Sequence, residues 1–147
     1  EPKDAIRADT AYVMTSLLRG VVQRGTAAKA AALNWPIGGK TGTTDDYTDA
    51  WFVGFDPDIT IGVWAGFDQK RTMGPAGTGT ESALPIWMDI MKAWIGTRAE
   101  PPTFDAPGNI VFMSVERGTG NPALEGAPGA ITESFISGTQ PGSGFRQ

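Results

Sequence analysis

The apolar positions change period along this chain, and each period predicts a different element. Val13, Leu17 and Val21 recur at helical spacing, with Met14, Leu18 and Val22 beside them and Asp9 or Thr10 placed to cap the start. This predicts a helix with one buried stripe, closed by Gly25 in a left-handed turn. Over residues 59–67 the period is two: Ile59, Ile61, Val63, Ala65 and Phe67 alternate with Thr60, Gly62, Trp64 and Gly66. Residues 50–55 form a shorter run rich in aromatic and β-branched side chains. Asp56-Pro57-Asp58 between the two runs is turn chemistry, so together they predict an antiparallel hairpin. Residues 40–46 predict a third strand, short and polar as suits a sheet edge facing a cleft. Residues 82–95 predict a second helix, with Pro85 in the first turn, Trp87, Met91 and Ile95 on one face beside Leu84 and Met88, and Gly96 closing it. The pattern is α–β–β–β–α, an α+β fold with helices packed on an antiparallel sheet. Trp51, Trp64, Trp87 and Trp94 are expected in its core.

Composition divides the chain. All five Trp lie between Trp35 and Trp94, whereas residues 97–147 hold 8 Gly and 6 Pro in 51 positions. That density predicts loose structure. The expected division is a body over 1–96 and an irregular tail over 97–147. The tail has one possible strand at 110–115, followed by a turn from Arg117 to Pro122.

Charge and residue usage narrow the chemistry. With 12 basic and 16 acidic residues the net charge is −4, and no basic stripe is present to meet nucleic-acid phosphates. There is no Cys and no His. Thiolate nucleophiles, the commonest transition-metal ligands and the usual neutral-pH base are therefore missing. Acid–base work falls to Lys, Tyr, a carboxylate or water, and no metal and no cofactor is expected. No apolar run reaches membrane-spanning length, and the start lacks a signal-peptide pattern. The chain begins with Glu1, which predicts a piece of a longer protein.

The densest chemistry is Gly39-Lys40-Thr41-Gly42-Thr43-Thr44. On a strand, Lys40 and Gly42 point one way and Thr41 and Thr43 the other. A bulge at Gly42 is expected to bring Lys40 and Thr43 to one cleft. Lysine supplies fixed charge, the threonine hydroxyls suit a carboxylate, and Gly42 lets a substrate backbone approach. Backbone N–H groups at such an edge can stabilise an oxyanion. A phosphate loop is the rival reading, since Gly39-Lys40-Thr41 ends the pattern G-x-x-x-x-G-K-[ST]. However, the first glycine of that pattern falls on Asn34, and the residues that follow are poor helix formers. The blandest reading is a tight turn entering a strand. Asp45 and Asp46 read as a solvated loop.

Several segments in order resemble the transpeptidase domain of bacterial class A penicillin-binding proteins. They are Thr10–Val22, the Lys-Thr-Gly run, Asp49-Ala50-Trp51-Phe52-Val53-Gly54-Phe55, Ile61-Gly62-Val63-Trp64-Ala65-Gly66, Ala83-Leu84-Pro85-Ile86-Trp87, and Glu133-Ser134-Phe135-Ile136 with Gly138-Thr139-Gln140-Pro141. The resemblance implies the C-terminal half of that domain, part of a β-lactamase/transpeptidase-like fold. Three of the family's five strands would be here, leaving the edge of residues 59–67 in need of a partner. The family uses S-x-x-K, S-x-N and K-T-G. Only the last is present: Ser16, Ser114 and Ser143 are followed three residues on by Arg, and Ser82, Ser134 and Ser137 by Pro85, Ser137 and Gln140. No serine has Asn two residues on. The implied partner is the N-terminal half carrying the missing motifs, and the implied ligands are peptidoglycan stem peptides and β-lactams. The implied roles are charge and hydrogen bonding for Lys40, carboxylate binding for Thr41 and Thr43, half of an oxyanion hole for the Thr43 amide, close substrate approach at Gly42 and pocket lining for Thr44. The implied location is the periplasmic face of the inner membrane, with an anchor elsewhere. A non-catalytic binding module of the same fold is the alternative.

Overall fold

The computed structural model describes residues 5–142. The elements run in the order α1 (Ala8–Arg24), a 3-10 segment (Ala28–Leu33), β1 (Gly38–Thr43), β2 (Asp49–Phe55), β3 (Thr60–Gly66), a π turn (Gly79–Ala83), α2 (Leu84–Ile95), β4 (Ile110–Glu116) and β5 (Ala130–Ile136). They form two compact units. One spans Leu17–Phe104; the other joins residues up to Ser16 with those from Asp105 onward.

In the Leu17–Phe104 unit, β1, β2 and β3 make an antiparallel sheet in that order. Strand alternation sorts its two faces. Ala50, Phe52 and Gly54 of β2 face the interior, opposite Ala65, Val63 and Ile61 of β3. α2 lies on this face. Trp87, fully buried with Leu84 and Met91, meets Phe52 edge-on at 5.0 Å between ring centres. Its indole N–H donates to the Ile61 carbonyl at 3.1 Å. Gly54 makes room for that ring: a Cβ there would stand 2.6 Å from Trp87. Val22, Ala27, Ala30 and Ile37 complete the core.

The β2–β3 turn is held by a buried carboxylate. Asp56 Oδ1 accepts the Asp58 and Ile59 amides, each at 2.8 Å, and Oδ2 accepts the indole N–H of Trp35 at 2.9 Å and of Trp94 at 3.0 Å. Four donors therefore converge on one side chain that is 4% exposed. Asp56→Ala strands all four. Hydrogen bonds to charged groups contribute roughly 1.5–3 kcal/mol each, so a loss of about 3 kcal/mol or more is expected in urea unfolding. Asp56→Asn should also destabilise, because its amide N–H₂ would face donors on one side or the other.

Several expectations are corrected. Met14 and Leu17 are more than half exposed, so the α1 stripe is not buried along its length; only its end, at Val21 and Val22, meets the core. Gly25 follows α1 without the positive φ expected of it, whereas Gly96 closes α2 as expected. Trp87 is in the core and Trp94 half-buried, but Trp51 and Trp64 are 46% and 42% exposed. They are cross-strand partners on the sheet face opposite α2.

The tail is less irregular than expected: residues 97–109 hold no helix or strand, but the strand expected at 110–115 is β4, and it has a partner, β5. β4 pairs with β5 from Ile110↔Ile136 to Glu116↔Ala130. The start of α1 belongs to the same unit. Asp9 accepts Arg7 as an ion pair and Asn109 Nδ2 at 2.6 Å, which together with the Thr10 amide hold its carboxyl well below the usual range. Tyr12 meets Phe112 edge-on, and Ser134 donates to Ser16 at 3.1 Å.

Candidate active site

The Lys-Thr-Gly run lies on β1, which pairs with β2 through a continuous register: Lys40↔Val53, Thr41↔Phe52, Gly42↔Trp51, Thr43↔Ala50. No bulge interrupts it at Gly42. The strand also removes the phosphate-loop reading, since the motif opens no helix. The hydrogen-bond phase decides which backbone groups are free. The Thr44 amide donates to the Asp49 carbonyl at 3.1 Å, so Thr44–Asp49 is a hydrogen-bonded pair. In an antiparallel ladder such pairs alternate. Gly42 and Lys40 therefore bond to β2, while the N–H and C=O of Thr43, Thr41 and Gly39 face away from it, along the outer edge of β1.

Lys40 reaches the same edge by the length of its side chain. Its Nζ donates to the Thr41 carbonyl at 2.8 Å and approaches Thr41 Oγ1 at 3.4 Å. Lysine and threonine start on opposite faces, and the ammonium folds over the edge between them. The resulting shelf holds a cation, the Thr41 and Thr43 hydroxyls and the outward Thr43 amide.

Each hydroxyl has a distinct setting. Thr43 Oγ1 accepts the Gly79 amide at 3.0 Å. Thr41 Oγ1 lies 3.0 Å from Thr26 Oγ1. Thr44 turns into the β1–β2 loop, where its Oγ1 accepts the Thr48 and Asp49 amides, each at 3.0 Å, and contacts Thr48 Oγ1 at 3.1 Å. Its hydroxyl thus braces the loop. Gly42 faces Trp51, whose Cβ would be 3.2 Å from a side chain at this position.

The neighbouring carboxylates are paired. Asp46 binds Lys70 at 2.8 Å and accepts the Thr48 hydroxyl, which hold its carboxyl well below the ordinary range. Asp49 is lowered too, first by the Trp64 indole N–H at 2.9 Å and then by Thr48. Both are anions at neutral pH. Gly79, Thr26 and Thr80 were not singled out by sequence. For Gly79 and its neighbour Thr80 the sequence signal is the glycine-rich stretch 74–79 ahead of α2; Thr26 has none.

The chain belongs to the transpeptidase-domain family of penicillin-binding proteins: residues 1–92 match the family described as penicillin binding protein transpeptidase domain. It is 42% identical to penicillin-binding protein 1A of Pseudomonas aeruginosa over 147 residues, covering 97% of this chain and 18% of that protein. It is 41% identical to penicillin-binding protein 1A of Aquifex aeolicus over 133 residues, covering 88% of this chain and 18% of that one. A crystal structure of penicillin-binding protein 1A from Haemophilus influenzae is similar with a TM-score of 0.80 and 29% identity, over 92% of this chain and 21% of that chain. The chain thus spans about a fifth of the length of these relatives. The family and the mixed helix–antiparallel-sheet fold are those expected from the sequence.

Proposed function

We propose that this chain supplies one wall of a serine acyl-transfer site that cross-links peptidoglycan stem peptides and is trapped by β-lactams. The observation that carries the reading is the Lys40 ammonium bonded to the Thr41 carbonyl at 2.8 Å, on the same strand edge that the Thr43 amide faces. The nucleophile is a serine of an S-x-x-K segment outside these residues. Its Oγ adds to the carbonyl of the D-Ala-D-Ala bond, the C–N bond breaks, and the terminal D-Ala leaves with a proton on its amine. An amine of a second stem then attacks the ester and frees the serine. The Thr43 N–H stabilises the oxyanion in both steps, and Lys40 adds positive charge. Thr41 and Thr43 bind the carboxylate of donor or drug, and Gly42 keeps the strand open to it.

The sheet face on the Lys40 side supports a companion segment. Trp51, Val53 and Trp64 lie there, each more than 40% exposed. An element covering them would stand beside Lys40, where the serine is needed. In this reading the companion is the N-terminal half of the domain. The site works outside the cytoplasm, and its anchor belongs to another segment. Among the described residues no helix is long and apolar enough to cross a membrane.

Labelling with a fluorescent penicillin tests the reading. This chain alone should take no stable label; co-produced with an S-x-x-K segment of the family, the assembly should label on that segment's serine. Label on this chain alone would refute the external nucleophile. An assembled but unlabelled complex would favour the non-catalytic binding module, a reading favoured by the missing serine motif.

A further inference from the structure

We propose that Gly79 is a positioning residue for carboxylate recognition, and that the π turn it opens fixes the direction of the Thr43 hydroxyl proton. This rests on the acyl-transfer reading above and adds to it a residue far from the three motifs.

The first argument is hydrogen-bond polarity. A hydroxyl has one donor and two acceptor sites. The Gly79 N–H is fixed in the backbone and donates to Thr43 Oγ1 at 3.0 Å. The Thr43 proton cannot point back at it and is directed elsewhere. An anion on the β1 shelf needs a donor, and Gly79 biases the hydroxyl to be one.

The second argument is space. A Cβ on Gly79 would lie 2.3 Å from the Trp51 carbonyl oxygen, 2.7 Å from the Gly42 oxygen and 3.1 Å from the Gly42 nitrogen. These are backbone atoms of the sheet and cannot swing aside like a side chain. Alanine would push the turn off β1 and stretch the bond to Thr43. The φ of Gly79 is not positive, so close approach alone demands glycine here.

The third argument is bracing. Thr78 Oγ1 accepts the Glu81 amide at 3.1 Å and caps the turn. Glu81 pairs with Lys29 at 2.8 Å, and Thr80 Oγ1 donates to the Thr26 carbonyl at 3.2 Å. Thr26 in turn touches Thr41 Oγ1. One turn thus reaches both hydroxyls, directly at Thr43 and through Thr26 at Thr41. Single π turns inside helices recur at functional sites, where they place a backbone group that regular helix would not.

The test uses the longer protein that contains both this chain and the S-x-x-K serine. Acylation rate constants are measured for benzylpenicillin and for its carboxyl methyl ester. The wild type should prefer the free acid by about ten- to a hundredfold, the range for hydrogen bonds to a charged group. Thr43→Val should remove most of that preference. Gly79→Ala should reduce it likewise, with the acid rate falling far more than the ester rate. Adding Gly79→Ala to Thr43→Val should reduce it no further. Equal loss for both ligands in Gly79→Ala would mean packing alone and would overturn the assignment. If Gly79→Ala does not fold, Thr78→Ala loosens the turn without crowding it; an unchanged preference there overturns the assignment as well. If Thr43→Val and Lys40→Ala both leave the two rates unchanged, the acyl-transfer reading itself fails. If Thr43→Val acts while Gly79→Ala and Thr78→Ala do not, only the role of Gly79 fails.

Discussion

Lys40→Ala, made in a polypeptide that also carries the S-x-x-K serine, is expected to slow penicillin acylation by about a hundredfold, the scale on which single oxyanion-stabilising groups act. The ammonium at the outer edge of β1 is the shelf's fixed positive charge, 2.8 Å from the Thr41 carbonyl. Alanine leaves the strand pairing intact, because Lys40 bonds to β2 through its backbone. Stopped-flow acylation and a thermal melt together separate the two effects: the rate should fall while the melting temperature stays within a few degrees. Wild-type acylation in Lys40→Ala would remove the lysine from the reaction. Lys40→Arg keeps the charge but changes its geometry, and it should recover only part of the rate.

Trp87→Ala is expected to cost about 3–5 kcal/mol, as large aromatic deletions in cores do. The ring is fully buried, stacked edge-on against Phe52 and bonded to the Ile61 carbonyl. Trp51→Ala reverses the expectation drawn from sequence. With that ring 46% exposed, the loss in this chain should be near 1 kcal/mol, as for most surface substitutions or slightly above. Urea titrations of both variants check the pair. A Trp51→Ala chain as damaged as Trp87→Ala would show that something covers the outer sheet face in this chain.

Local pattern carried much of the fold. The two-residue alternation gave β3 and the face that packs, because Ile61, Val63 and Ala65 do point inward. Pro85 and the Trp87–Met91 spacing placed α2, and Asp56-Pro57-Asp58 placed the hairpin turn. What pattern could not give was which apolar face has a cover. Trp51 and Trp64 look like core by residue type, yet they stand on the side of the sheet away from α2. Strand β5 is not marked by the sequence pattern for a related reason. Both of its faces are largely half-buried, so Ile131, Thr132, Glu133, Ser134 and Phe135 show no clean alternation.

The site was legible as a motif and illegible as an arrangement. Residue types single out Lys40, Thr41 and Thr43 as its candidates. The phase of the β1–β2 ladder, which turns the Thr43 amide outward, depends on a pairing made only in the folded chain. Gly79 lies 36 residues beyond Thr43 in sequence, and its contact follows from how the π turn returns to the sheet.

The two outer strands of the sheet differ in one respect with a practical outcome. By the same ladder phase, Thr60, Gly62, Trp64 and Gly66 of β3 turn their amides and carbonyls outward, and β3 carries no ionisable side chain. The β1 border has an ammonium lying across it, a device that discourages foreign strands. Copies of this chain that meet through the sheet should therefore join β3 to β3 and stop at pairs. Neutralising the lysine would open the second border and let such pairs extend into fibres.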